Sequence, residues 1–330
     1  MNAGLGVTFE DVALERSVRS RLDEVEIALR AAVTAQDEFV NGAASYLVDA
    51  GGKRFRPLVC ALAAHFGDAT RPEIVPAAVV VEITHLATLY HDDVMDEATV
   101  RRGATSANSR WDNTVAILTG DFLFSRASLI LADLGSYAVR LQAQTFERLV
   151  TGQIHETVGP APGADPIEHY LSVLADKTGS LIATSAQFGG YYAGVDEAVC
   201  AQLQVFGEQI GVAFQLSDDI LDIASSSSES GKTPGTDLRE GVATLPVLYA
   251  LRSATSGGER LRELVDHPLV DDAEHAEALR LLRASDALDE ARETLRGYAA
   301  AAEKTLAGLP DVPARAAFAE LTELVIARTG

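Results

Sequence analysis

At 330 residues, with 47% apolar residues and modest Gly and Pro, the chain has material for a large core, and no linker divides it, so one domain over 1–330 is expected. A formal charge of -21 excludes nucleic acid and any anionic surface held through broad basic patches, and no run reaches the roughly 18 unbroken apolar residues of a bilayer span. Cys60 and Cys200 show no metal or redox spacing, and the first residues lack a basic then apolar leader, which predicts buried thiols in a soluble cytoplasmic protein without stable membrane insertion.

Alanine and leucine dominate most segments, and apolar positions recur at helical spacing nearly end to end. The spacing predicts helices at 10–35, 36–50, 56–66, 73–96, 113–134, 137–157, 166–192, 196–224 and 242–253, with four or five shorter ones after them. Gly51-Gly52, Gly67-Asp68, Arg101-Arg102-Gly103, 159–163 and 225–235 punctuate them. The serine-rich stretch reads as a disordered insert or, better, as a mobile loop at about 225–236 closing over a site beside it. Strand alternation is missing. The fold expected is all-α, a large single-domain helical bundle whose central helices carry ligands inward.

Two aspartate runs share one spacing: Asp92-Asp93-Val94-Met95-Asp96 and Asp218-Asp219-Ile220-Leu221-Asp222. Residues i and i+4 are neighbours on one helix face, so Asp92 with Asp96, and Asp218 with Asp222, each form an oxygen pincer. A solvated helix face is the plain alternative for either run alone. Two matched runs, both embedded in apolar sequence, count against it, because carboxylates on a buried face need a counter-ion. Mg²⁺ suits such oxygens and binds substrate phosphates at the same time, so the pair predicts a diphosphate held through metal.

Basic residues supply the complement. In Gly51-Gly52-Lys53-Arg54-Phe55-Arg56-Pro57 the glycines let backbone approach an anion, Lys53 and Arg56 share a helical face, and a helix start adds positive potential. Arg101 and Arg102 follow the first run closely and point in different directions, enough for two phosphates. Of only four lysines in the chain, three are Lys53, Lys177 and Lys232, each in a polar motif where a compact point charge suits an anion.

With these residues the chain resembles the trans-isoprenyl diphosphate synthases, the polyprenyl synthetase family, over nearly its whole length. The matching landmarks are the 51–57 motif, the first aspartate run with Arg101-Arg102-Gly103, Gly120-Asp121, Lys177-Thr178, Phe214-Gln215 with the second run, and 231–246. The resemblance implies the terpenoid synthase type of all-α fold, a homodimer, and head-to-tail condensation of isopentenyl diphosphate with an allylic diphosphate. It implies that Lys53, Arg56, His85 and Arg102 hold isopentenyl diphosphate, and that Asp92, Asp96, Asp218 and Asp222 hold Mg²⁺ with Asp93 and Asp219 in support. Arg101, Lys177, Thr178, Phe214, Gln215 and Lys232 match contacts to the allylic substrate. Its catalytic set is then Asp92, Asp93, Asp96, Arg101, Lys177, Asp218 and Lys232. His85 alone reads as a core histidine; its place two turns before Asp92 makes it a ligand.

Product length would follow from an apolar channel starting beneath the first run, since one isoprene unit spans roughly one helical turn of 5.4 Å. In the family, bulky aromatics four or five residues before that run stop growth early. Here those positions are Thr88 and Ala87, both small, and Leu131 is the candidate floor, so a product of medium to long chain for a quinone side chain is expected. The alternatives are a geranylgeranyl-type short-chain synthase, a terpene cyclase, and a non-catalytic partner subunit. A cyclase needs no second cradle, and a partner subunit should lack an aspartate or a basic ligand, whereas none is missing.

Overall fold

A computed structural model describes residues 9–224, 234–253, 256–265 and 267–329. Helix α1, Val12–Val33, starts where the Asp11 carboxylate accepts from the Leu14 N–H, and its buried stripe of Leu14, Val18, Leu22, Val25, Leu29 and Val33 follows the 3.6-residue period. Asp37 caps α2, Glu38–Asp49, in the same way. Helix α3, Phe55–Ala64, is preceded by Arg54 in a left-handed conformation (φ 49°), and α4 runs Ile74–Met95.

A two-stranded hairpin follows, β1 (Val100–Arg101) against β2 (Ala104–Thr105), with Arg101 opposite Ala104. Both central residues of its turn have positive φ, Arg102 at 54° and Gly103 at 76°, as a type I′ turn requires. Gly103 takes this freely and Arg102 does not, so contacts elsewhere must hold the arginine there. Next come α5 (Ala107–Trp111), α6 (Asn113–Leu134), α7 (Ser136–Val158) and α8 (Pro166–Leu174).

At Ala175–Gly179 the chain makes a π-helical turn before α9, Ser180–Ala193. The sequence pattern predicted one helix over 166–192. The extra residue per turn leaves apolar spacing on both sides nearly intact, so periodicity does not register it. Helix α10 spans Glu197–Ala224, followed by α11 (Thr236–Glu240), α12 (Leu245–Arg252), α13 (Ser256–Leu264), α14 (Asp272–Arg283), α15 (Ala287–Ala307) and α16 (Pro313–Ala327). Among the described residues the hairpin is the one sheet, so the all-α expectation holds.

The chain divides into two compact units. The first comprises Met1–Glu147, Leu181–Gly207 and Gly308–Glu320; the second comprises Arg148–Ser180, Glu208–Ala307 and Leu321–Gly330. In the first, α4 is the central helix, packed by α1, α3 and α6, with Tyr90, Phe188, Phe206 and Phe318 among its largest fully buried side chains. In the second, α12 packs on α8, α13 and α15. Helices α4 and α6 are long and apolar enough to cross a membrane by length and composition alone, and the apolar window of α4 is 67% buried in its own unit's core.

Candidate active site

In the first unit, Arg54 lies at the centre of the predicted anion turn and is itself nearly fully buried. Its Nε donates to Glu26 Oε2 at 2.9 Å, its Nη1 to Glu82 Oε1 at 3.0 Å, and further bonds reach the carbonyls of Val48 at 3.2 Å and Gly51 at 3.3 Å. The left-handed turn before α3 is thus stitched to α1, α2 and α4. Lys53 is exposed on one side of it, and half-buried Arg56 lies in the first turn of α3 on the other. Burial pulls the Arg56 guanidinium down to about 10, against the opposing charges of Glu82 and Asp92, and its Nε is buried without a partner.

Arg102 reaches the same turn from the hairpin. Its Nη1 donates to the Leu47 carbonyl at 2.9 Å and to the Gly51 carbonyl, which secures the left-handed residue in its tight turn. Of the glycine pair, Gly52 admits this arginine, since a Cβ on it (φ 148°) would meet Arg102 Cζ at 2.9 Å, while a Cβ on Gly51 would meet nothing within 4 Å. His85 is a turn above Glu82 on α4. Burial, then the charges of Arg56, Arg102, Arg101 and Arg54, hold its imidazole well below its ordinary value, so the ring is neutral near pH 7 and has one N–H to donate.

The first aspartate run occupies the end of α4. The helix stops at Met95, yet Asp96 N–H still donates to the Asp92 carbonyl at 2.8 Å, so the i, i+4 pincer survives past the last helical residue. Asp93 is fully buried, its Oδ1 accepts from Arg101 Nε at 2.6 Å, and its Oδ2 is buried without a partner. Arg101 Nη2 also lies 3.9 Å from Asp96 Oδ2. Arg101, expected on a loop facing substrate, is therefore in a strand and turned onto the carboxylates it follows. Below the run, Ala87 is fully buried and Thr88 donates to the His85 carbonyl at 2.8 Å. Leu131 is buried on α6, and Phe124 packs on Phe146 with centroids 4.5 Å apart.

In the second unit the predicted residues are joined by hydrogen bonds. Thr178, in the π-turn, donates to Gln215 Oε1 at 3.4 Å; Gln215 Nε2 donates to Asp219 Oδ1 at 3.0 Å; and the Tyr170 hydroxyl donates to Asp219 Oδ2. Burial pushes the Asp219 carboxyl up to about 7 despite these donors. Arg328 of the C-terminal segment pairs with Asp218, and its guanidinium lies 5.1 Å from the centre of the Phe214 ring. Asp222 accepts from the N–H groups of Thr236 at 3.1 Å and Asp237 at 3.2 Å, so it caps α11.

Lys177 pairs with Glu156 on α7 at 2.5 Å. The π-turn carrying it is held by Arg148, whose Nε meets Asp176 at 2.8 Å and whose Nη1 meets Glu208 at 2.6 Å. Gly152 lets α7 close on that turn, since a Cβ there would lie 2.8 Å from the Lys177 backbone nitrogen. Lys232 and positions 225–233 of the expected mobile loop fall outside the described residues. At the loop's far end Thr236 already belongs to α11, and Gly235 N–H is anchored on the Asp222 carbonyl at 2.8 Å.

Reading the sequence missed Arg54, Glu82, Glu156, Tyr170 and Arg328. A signal existed for Glu82, the one acidic residue between Ile74 and His91 in an otherwise apolar helix; for Arg328, in the last turn of the chain, none did. The donors fit a hard divalent cation. They are carboxylate oxygens in i, i+4 pairs, and Asp93 Oδ2 is a buried acceptor lacking a partner. Among the described residues no three His, Cys, Asp or Glu side chains come together as a metal-binding group. Mg²⁺ needs no such cage, because it keeps waters and takes one or two carboxylates with substrate phosphates.

The family model described as polyprenyl synthetase matches residues 37–282. The chain is similar to the nonaprenyl diphosphate synthase of Mycobacterium tuberculosis, 49% identical over 98% of this chain and 97% of that protein. It is similar to the octaprenyl diphosphate synthase of Escherichia coli, 32% identical over 92% and 94%. Among solved structures it is similar to the geranylgeranyl pyrophosphate synthase from Corynebacterium glutamicum complexed with calcium and isoprenyl diphosphate. There the identity is 44%, the TM-score 0.88, and 98% of this chain and 100% of that one are covered.

Proposed function

The chain belongs to the polyprenyl synthetase family, and on that premise we propose that it condenses isopentenyl diphosphate with an allylic diphosphate, head to tail, into an all-trans-polyprenyl diphosphate of medium to long chain. The observation that carries this reading is the first unit's cluster, in which the charges of Arg56 and Arg102 act on a half-buried, neutral His85 and Asp92 acts on Arg56. Such a cluster binds an anion beside a carboxylate pincer, which suits one diphosphate held by cationic side chains and another that carboxylates would hold through a divalent cation.

Lys53, Arg56 and Arg102 bind the diphosphate of isopentenyl diphosphate, and His85 donates its one N–H to it. Thr178, Gln215 and Phe214 orient the allylic substrate. Asp92 with Asp96, and Asp218 with Asp222, with Asp93 and Asp219 behind them, would hold Mg²⁺, which would supply charge neutralisation for the leaving oxygen. Arg101, Lys177 and Lys232 add fixed positive charge to the same departing group. Diphosphate leaves the allylic carbon, the double bond of the pinned isopentenyl diphosphate attacks the carbocation, and a proton is lost to the departed diphosphate. Orientation replaces a protein nucleophile.

Ala87 and Thr88 leave room for a growing tail below the first run, and Leu131 is its proposed floor. The product length fits a quinone side chain, and the site of action is the cytoplasm. A homodimer is supported by α6, an apolar helix that leaves Ile117, Leu118 and Leu129 exposed at 42%, 60% and 60%. Incubation of purified protein with Mg²⁺, labelled isopentenyl diphosphate and farnesyl diphosphate, followed by chromatography, tests the reading. Elongated products that vanish on chelation are expected, and no elongation without a partner protein sinks it.

A further inference from the structure

Glu82 is the most buried carboxylate of the first unit to lie close to proposed substrate cations without being a proposed ligand. It is 1% exposed, and no substrate or metal role falls to it. One oxygen accepts from Arg54 at 3.0 Å; the other, Oε2, is buried without a partner. Its charge acts on Arg54, Arg56 and Arg102 alike. Each of these guanidinium groups belongs to the turn at 51–56 or donates to it.

Resting on the function proposed above, we propose that Glu82 is a positioning residue for the isopentenyl diphosphate cradle: through Arg54 it fixes the left-handed turn that presents Lys53 and Arg56. The physical chain is short. A non-glycine residue does not hold φ near 49° unless its surroundings over-determine it. Arg54 is over-determined by Glu26, Glu82 and two carbonyls. Of the two carboxylates, Glu26 pairs with Arg30 on the surface as well, while Glu82 is committed to the interior. With Glu82 gone, Arg54 retains a partner on α1 but none on α4, the helix that carries His85 and Asp92. The turn and α4 then lose the bond that holds Lys53 and Arg56 in register with His85.

The test compares Glu82→Ala and Glu82→Gln in steady-state elongation with both substrates varied. Glutamine keeps an acceptor oxygen for Arg54. The Ala variant is expected to raise KM for isopentenyl diphosphate about tenfold or more, with KM for the allylic primer within about twofold, and Gln is expected to restore most of the difference. Equal rises for both substrates, or an unchanged isopentenyl diphosphate KM, overturn the proposal. If Glu82→Ala does not fold, the double variant Arg54→Met with Glu82→Leu removes the pair without stranding a charge, and the same selective rise is expected. Wild-type KM in that double variant overturns the proposal too. Failure of the wild type to elongate at all would instead refute the function itself.

Discussion

Replacing Gly52 by alanine separates the two things that residue does. Its φ of 148° is strained for any residue with a Cβ, at about 1–3 kcal/mol. The new Cβ also lies 2.9 Å from Arg102 Cζ, so the guanidinium must shift against its bonds to the Leu47 and Gly51 carbonyls. Losing one charged hydrogen bond adds about 1.5–3 kcal/mol, for a total of roughly 2.5–6 kcal/mol. Gly51→Ala is the internal control, because at φ 87° it is strained as well but no atom lies within 4 Å of its Cβ. Thermal denaturation should show both variants lowered, Gly52→Ala by several degrees more. Steady-state kinetics should show KM for isopentenyl diphosphate raised about 10- to 100-fold in Gly52→Ala, since every 1.4 kcal/mol is tenfold, and much less in Gly51→Ala. Equal KM values in the two variants would refute the assignment of Arg102 to that substrate.

Gly152→Ala gains up to about 1 kcal/mol of helix propensity and loses about 1–3 to overpacking against the Lys177 backbone, so the variant should melt lower and bind the allylic primer less well; a higher melting point with unchanged kinetics would show that α7 does not position the π-turn. Ala87→Phe should shorten the products of the elongation assay, and an unchanged length distribution would remove Ala87 from the channel. For His85 the folded value lies below the unfolded value of 6.5, so its contribution to stability is fully present above 6.5 and is lost as pH falls through 6.5 toward the folded value. His85→Asn should therefore flatten the fall in thermal midpoint on acidification from about pH 7 to pH 5, and a slope equal to wild type would place the imidazole in water.

Long elements were legible because each carries several periods of its pattern: α6 begins and ends where the spacing places it, and α1 and α10 differ by a residue or two. The hairpin and α5 are shorter than the window in which any period is visible. Which residues carry charge was likewise legible, while their pairing was not. Arg101 was recognisable as a cation beside a carboxylate cluster, but whether it faces outward or back onto Asp93 depends on the hairpin twist that the type I′ turn imposes. Arg54 stood inside the motif read as an anion cradle, and its work there is internal. A charge inside a binding motif serves either the ligand or the loop, and only burial separates the two.

The π-turn at Ala175–Gly179 holds one residue more than a regular helix would need. Removing any single residue from that stretch lets α8 run straight into α9 with every backbone bond closed in the ordinary way, while Lys177 and Thr178 swing about a quarter-turn or more from their present directions. Single-codon deletions there should lower turnover, and they also rotate the buried Ile167, Val173 and Leu174 of α8 off their present packing.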